Sequence, residues 1–233
     1  MILQKTERIN KNRLDSLQNY YNLDDNTKEM LNKYLSVESD YRYALREMSA
    51  KLENLDDYCQ ANFDHNPIHH IESRIKTLDS ILEKMERRGL EKNFDNLKKY
   101  IYDIAGIRVI CNYINDIYQI INLLKKQKDL KIYLEKDYLV NPKESGYRSF
   151  HVVFYIEIYK ENEAVEVPVE IQFRTIAMDM WATLEHELRY KSKNHLSEED
   201  KRTLRQASDD IYNIDLKMQR VYIHMKCGDD NDD

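Results

Sequence analysis

The sequence predicts an α+β fold, a mixed sheet of four or five strands held between helical ends. Three observations predict it. Glycine occurs 4 times and proline 3 times in 233 residues. That is far below the usual ~7% and ~5%, and it excludes many-turned all-β folds and glycine-rich linkers. Apolar residues recur at three- and four-residue steps toward both ends of the chain, while alternating or continuous apolar runs fill the middle. Apolar residues make up 42% of the chain, enough to bury a core.

Taken in order, a short helix is predicted over residues 8–17. A long one follows from Asn26 to Asn62, where Leu31, Tyr34, Leu35, Tyr41, Leu45, Met48, Leu52 and Leu55 form one stripe. Asp64-His65-Asn66-Pro67 breaks it, because Asp and Asn favour turns and proline disfavours a helical residue before it. From Ile68 the pattern changes. A helix is predicted from Thr77 to Arg88, capped by Thr77 and stopped by Gly89. Ile104–Cys111 is short, apolar and partly β-branched, so it reads as a buried strand.

A helix over 114–126 and a strand over 130–139 come next. Asn141–Gly146 is the strongest loop signal in the chain. Phe150–Tyr159 and Ala164–Arg174 alternate as strands. Ile176–Lys191 and Ser197–Met225 are helical, the second opened by Ser197 and Asp200 as a capping box. The acidic end, Gly228–Asp233, is expected to fray. These elements divide the chain into a helical extension over 1–66, a central domain over 67–191, and a C-terminal helix with its tail over 192–233.

Several classes are excluded. No stretch approaches the ~18 apolar residues of a membrane span, and MILQKTERINKNR lacks an apolar signal core. Cys59, Cys111 and Cys227 lie far apart without metal spacing, and are read as reduced thiols of a cytoplasmic protein. A net charge of −6 argues against a general DNA-binder. His186-Glu187 would need a second histidine at position 190 for a zinc motif, and that residue is Tyr190. No GxxxxGK[ST], GxGxxG or GxSxG occurs.

What chemistry remains sits on two strands and two basic segments. In Ala164–Arg174, Val165, Val167, Val169, Ile171 and Phe173 share one face, leaving Glu166, Pro168, Glu170, Gln172 and Arg174 on the other. A cleft and a solvated sheet face both fit that pattern. His151, on the polar side of Phe150–Tyr159, falls near Glu170 across such a sheet. Asp103 stands at the mouth of the first core strand. Alone it is a turn residue; beside a second carboxylate it becomes a candidate Mg²⁺ ligand, since that ion takes one or two carboxylates plus phosphate and water. Between Glu72 and Arg108, nine basic residues outnumber seven acidic ones in an otherwise acidic chain. The NPKESGYRSFH loop sets Lys143, Tyr147 and Arg148 around Gly146, and an aromatic ring among cations suits a stacked base near phosphates.

Four blocks, taken together, resemble the synthetase domain of the RelA/SpoT family. They are SRIKTLDSILEKMERRG (Ser73–Gly89), YDIAGIRVIC (Tyr102–Cys111), DYLVNPKESGYRSFH (Asp137–His151) and VEIQFRTIAMDMWATLEH (Val169–His186), and they lie within residues 68–191. Each alone is weak; their order and spacing are specific. The length is similar to that of a stand-alone small alarmone synthetase. The resemblance implies a nucleotidyltransferase-like mixed sheet of about five strands. It also implies transfer of the β,γ-pyrophosphate of ATP to the ribose 3′-OH of GDP or GTP, with GMP a further candidate acceptor.

By matching positions, the resemblance implies that Arg74 and Arg108 sandwich adenine, a planar-cation role lysine cannot reproduce. Lys76 and Lys84 would hold the ATP phosphates, and Asp103 would bind Mg²⁺. Tyr147 would stack on guanine, with Lys143, His151 and Gln172 lining the acceptor site. Glu170 would be either a second metal ligand or the group that receives the 3′-OH proton. No His-Asp dipeptide of the family's hydrolase domain occurs, so hydrolysis is not expected. Some small synthetases are homotetramers that bind pppGpp through a Phe and a Thr. His70 and Glu72 stand at about those positions here, and a Glu repels phosphate.

Apolar residues on the helical ends imply a homo-oligomer, a tetramer by family resemblance. Two rivals share these features: another nucleotidyltransferase-like enzyme, and a non-catalytic regulator whose basic patches would take single-stranded RNA.

Overall fold

The computed structural model describes residues 2–3, 23–191 and 196–229. The helix predicted over 8–17 and the last four residues of the tail lie outside them. Among the described residues, six helices and six strands follow in the order β1 (Ile2–Leu3), α1 (Asp25–Asn62), β2 (Ile68–Ile75), α2 (Leu78–Arg87), α3 (Phe94–Tyr100), β3 (Ala105–Cys111) and α4 (Ile114–Lys125). Then come β4 (Lys131–Asp137), β5 (Phe150–Tyr159), β6 (Ala164–Thr175), α5 (Ile176–Lys191) and α6 (Glu198–Asp229). One mixed sheet runs β1-β2-β3-β6-β5-β4. Its five full strands are the α+β sheet expected; the two-residue β1 adds an outer edge.

Capping explains where the helices start. Asp24 accepts from Thr27 N at 2.8 Å and opens α1, Thr77 accepts from Ser80 N and opens α2, and the Ser197–Asp200 box opens α6. Gly89, at φ +63°, takes the left-handed turn after α2. Three elements have no counterpart in the sequence reading: the two-residue β1, β2 and α3. In β2, Ser73 occupies a buried position and a bulge between Ile68 and His70 breaks the alternation. In α3, seven residues bury only Leu97 fully, too few for a visible stripe.

The sheet has two unlike faces. On one, Ile107 and Val109 of β3, Val152 and Phe154 of β5, and Val169, Ile171 and Phe173 of β6 join a single core with α1 and α4. α1 contributes Leu31, Tyr34, Met48 and Leu52, all buried. This corrects one expectation: α1 buries its apolar stripe against its own sheet and leaves little of it for a partner chain. α6 differs, keeping Ile214, Met218, Val221 and Met225 exposed, as α5 does Ile176, Met180, Leu184 and Leu188. Cys59 and Cys111 are buried free thiols. The side chain of Cys227 lies outside the described residues. No helix among the described residues is long and apolar enough to cross a membrane.

Candidate active site

The second face carries the polar residues, and strand register brings them into rows. β3 lies between β2, antiparallel, and β6, parallel. Arg74, Gly106, Glu170 and Val153 therefore stand side by side across four strands, and Glu72, Arg108, Gln172 and His151 form the next row. The alternation read from Ala164–Arg174 thus faces a cleft. A cavity of about 330 Å³ opens there, lined among others by Arg74, Asp103, Gly106, Arg108, Glu170 and Gln172. Asp103 and Glu170, 67 positions apart in the chain, share it.

Asp103 is gripped by two ammonium groups. Lys76 Nζ lies 3.0 Å and Lys84 Nζ 2.8 Å from the same oxygen, Oδ2. Burial pushes the carboxyl up, but Lys84 and Lys76 outweigh it and hold it down at about 2. Burial also lowers the Lys84 ammonium, an effect Asp103 partly offsets. The other oxygen, Oδ1, is buried without a hydrogen-bond partner. Such an oxygen suits a cation, because an unpaired buried acceptor carries a full desolvation cost. The described residues contain no group of three or more metal-type ligands, so any ion here would rely on two carboxylates plus ligands from a substrate, the pattern of Mg²⁺.

Glu170 is the end of two hydrogen-bond chains that begin at Arg174. Arg174 Nη2 donates to the Tyr147 hydroxyl at 2.7 Å, and that hydroxyl pairs with His151 Nε2 at 2.9 Å. His151 Nδ1 faces Glu170 Oε1 at 3.4 Å. In the other chain Arg174 Nη2 donates to Gln172 Oε1, and Gln172 Nε2 donates to Glu170 Oε2, at 2.9 and 2.8 Å. With Nε2 accepting from tyrosine, the remaining imidazole proton sits on Nδ1 and points at the carboxylate. Burial holds His151 below its usual value, so the ring is neutral at pH 7. Burial raises Glu170, yet the contacts from His151 and Gln172 bring it below the ordinary range, so it is ionised.

Lys143, Tyr138 and Tyr147 gather at one end of this network. Lys143 Nζ lies 4.5 Å from the Tyr147 ring centre and 4.9 Å from that of Tyr138. At the other rim, Arg108 Nη1 is 3.1 Å from Glu72 and 3.4 Å from Asp179, while Arg74 is exposed beside the cavity. Arg148 does not join the cations of its loop. Its guanidinium turns away to Asp209 and to the carbonyl of Leu139.

Residues 73–195 match the family described as a region found in RelA/SpoT proteins. The chain belongs to the RelA/SpoT family. It is 40% identical to the GTP pyrophosphokinase YwaC of Bacillus subtilis (strain 168) over 178 residues, which is 76% of this chain and 85% of that protein. The structure of the small alarmone synthetase 1 from Bacillus subtilis bound to its product pppGpp superposes with a TM-score of 0.73 at 35% identity, covering 79% of this chain and 93% of that one. The same synthetase bound to AMPCPP gives a TM-score of 0.68 at 33% identity, over 80% and 94%.

Within this family member, the ten residues singled out in the sequence fall into three groups. Arg74, Asp103, Arg108, Glu170 and Gln172 line the cavity; Lys76 and Lys84 reach it through Asp103; Lys143, Tyr147 and His151 adjoin it through Glu170 and Gln172. Two more were missed. Arg174 shares the parity of Glu170 and Gln172, the signal in the sequence that puts it on the same face. Asp179, in the first turn of α5, bonds Arg174 Nη1 at 2.8 Å and stands next to Arg108. An acid in a first turn is ordinary helix chemistry, so nothing in the sequence distinguished it.

Proposed function

We propose that this RelA/SpoT-family chain is a stand-alone small alarmone synthetase, a GTP pyrophosphokinase. It moves the β,γ-pyrophosphate of ATP to the ribose 3′-OH of GDP or GTP, and leaves AMP and (p)ppGpp. The observation that carries this reading is the single cavity shared by Asp103 and Glu170, with arginines on one rim and the Tyr147 network on the other. The GTP pyrophosphokinase relative and the pppGpp-bound neighbour support it.

Arg74 and Arg108 take the adenine. Tyr147 stacks on guanine, with Lys143 and Gln172 beside it. The 3′-oxygen attacks the β-phosphorus, the bond from that phosphorus to the α–β bridging oxygen breaks, and AMP leaves. Such transfers need alignment and positive charge more than covalent help. Glu170, kept ionised by its two donor chains, accepts the hydrogen bond of the 3′-OH and takes its proton. Asp103 and Glu170 would hold Mg²⁺, which when bound supplies charge to the phosphate oxygens. Lys76 and Lys84, paired with Asp103 before substrate arrives, add two further positive charges for ATP.

Three narrower readings accompany this one. The enzyme is a synthetase without hydrolase activity, and it works in the cytoplasm. It assembles as a homotetramer through the exposed apolar stripes of α5 and α6. Light scattering of wild type and Leu184→Glu tests assembly: a tetramer mass that falls in the variant is expected, and a wild-type monomer at micromolar concentration refutes it.

The function itself is tested by incubating purified protein with ATP, Mg²⁺ and GDP, GTP or GMP, then separating nucleotides by anion exchange. AMP and a guanosine product with two added phosphates should appear in equal amounts, and should vanish with a chelator. Absence of that product with every acceptor overturns the reading.

A further inference from the structure

The loop that carries Tyr147 is held from outside the sheet, by α6. Ser208 Oγ donates to the Gly146 carbonyl at 2.5 Å, and both residues are buried. Gly146 has φ +93°, and a Cβ there would meet Ser208 Cβ at 3.0 Å and Arg205 Cα at 3.2 Å. Loop and helix backbones therefore touch, and only glycine fits between them. On the far side of Tyr147, Arg148 Nη2 donates to Asp209 Oδ1 at 2.8 Å, and its guanidinium lies 4.2 Å from the Tyr212 ring centre. Its Nη1 donates to Leu139 O at 3.0 Å, which ties the end of the loop to its beginning.

The same helix holds the end of β6. Asp215, buried on α6, accepts from the Thr175 hydroxyl at 2.6 Å. Thr175 follows Arg174, the origin of both chains to Glu170. One helix thus grips the residues on either side of Tyr147 and the residue beside Arg174.

We propose that α6 is the positioning element of the acceptor subsite, and that Ser208, Asp209 and Arg148 are positioning residues that hold the Tyr147 ring against the Glu170 network. This rests on the guanosine-acceptor reading of Tyr147. The charge of Arg148 is used on the helix, at Asp209 and the Tyr212 ring. Loosening the clamp weakens the guanosine nucleotide and leaves ATP alone, because the arginines that take adenine sit on β2 and β3, away from α6.

The experiment uses Asp209→Ala, a half-exposed position whose loss leaves the core intact, with circular dichroism to confirm the fold. KM for GDP is expected to rise about five- to tenfold, with KM for ATP within about twofold and kcat within about threefold. The exchange Arg148→Asp with Asp209→Arg should recover at least half of the loss seen in Arg148→Asp alone. Calorimetric titration with GDP, without ATP, reads the clamp independently of turnover. GDP affinity that falls in Asp209→Ala supports the clamp even if wild type proves inactive in pyrophosphate transfer, which would refute only the function. Unchanged GDP affinity, or an equal rise in KM for both nucleotides, overturns the clamp.

Discussion

His151 Nδ1 faces Glu170 Oε1 at 3.4 Å, one diagonal step across the β5–β6 seam. The pair works only while the imidazole is neutral, because a doubly protonated ring would lose the Tyr147 hydroxyl as a donor. Burial keeps His151 below its ordinary 6.5. The acid limb of kcat/KM for GDP should accordingly have its midpoint below 6.5. The alkaline limb should fall below the ordinary lysine value of 10.5, since burial lowers Lys84. An acid midpoint at or above 6.5 contradicts this arrangement.

Glu170→Gln keeps the shape of the carboxylate and removes its charge, and Asp103→Asn does the same across the cavity. Each should cut turnover at least about a thousandfold while the protein stays folded. Normal turnover in either variant removes the assignment of these two groups to Mg²⁺.

Asp103 also stabilises the fold. Its folded value of about 2 lies below the ordinary 3.8. The lysine cluster therefore contributes fully above pH 4, and its contribution disappears as pH falls from about 4 to 2. A shift of this size is worth about 2 kcal/mol. Urea unfolding of Asp103→Asn should show a loss of about that size at pH 7 and little difference from wild type near pH 2.

Gly106 lies on the cavity floor between Arg74 and Glu170. A Cβ there would meet nothing closer than 3.8 Å, so the fold tolerates a side chain and the cavity does not. Gly106→Val should raise KM for ATP at least about tenfold and leave the melting temperature within about 3 °C. An unchanged KM would place adenine elsewhere.

Asp179 ties the two sides together, bonding Arg174 and standing 3.4 Å from Arg108. Asp179→Asn should therefore raise KM for ATP and GDP alike, about fivefold each. This distinguishes it from Asp209→Ala, which affects GDP alone.

Local pattern was legible in the sequence. β5 and α5 have the bounds that period two and helical spacing indicate, and the parity of Ala164–Arg174 puts Glu170 on the polar face, which the structure makes a cleft wall. What stayed hidden depends on contacts between distant segments. β2 was disguised by Ser73 and a bulge. Arg148 reads as one of the loop's cations because its partner, Asp209, is 61 positions away. Nothing local reveals how much of the apolar stripe of α1 its own sheet covers. Lys76 and Lys84 were identified as cations, but their shared hold on Asp103 follows from tertiary geometry alone.

The most direct measurement follows one phosphorus atom. The protein is incubated with GDP and Mg²⁺ and with ATP labelled at either the γ- or the α-phosphorus, and the products are separated by thin-layer chromatography. Label from the γ-position should migrate with a guanosine nucleotide, and label from the α-position should appear only in AMP. Label from the α-position in the guanosine product, or γ-label recovered solely as inorganic phosphate, would contradict pyrophosphate transfer at the Asp103–Glu170 cavity.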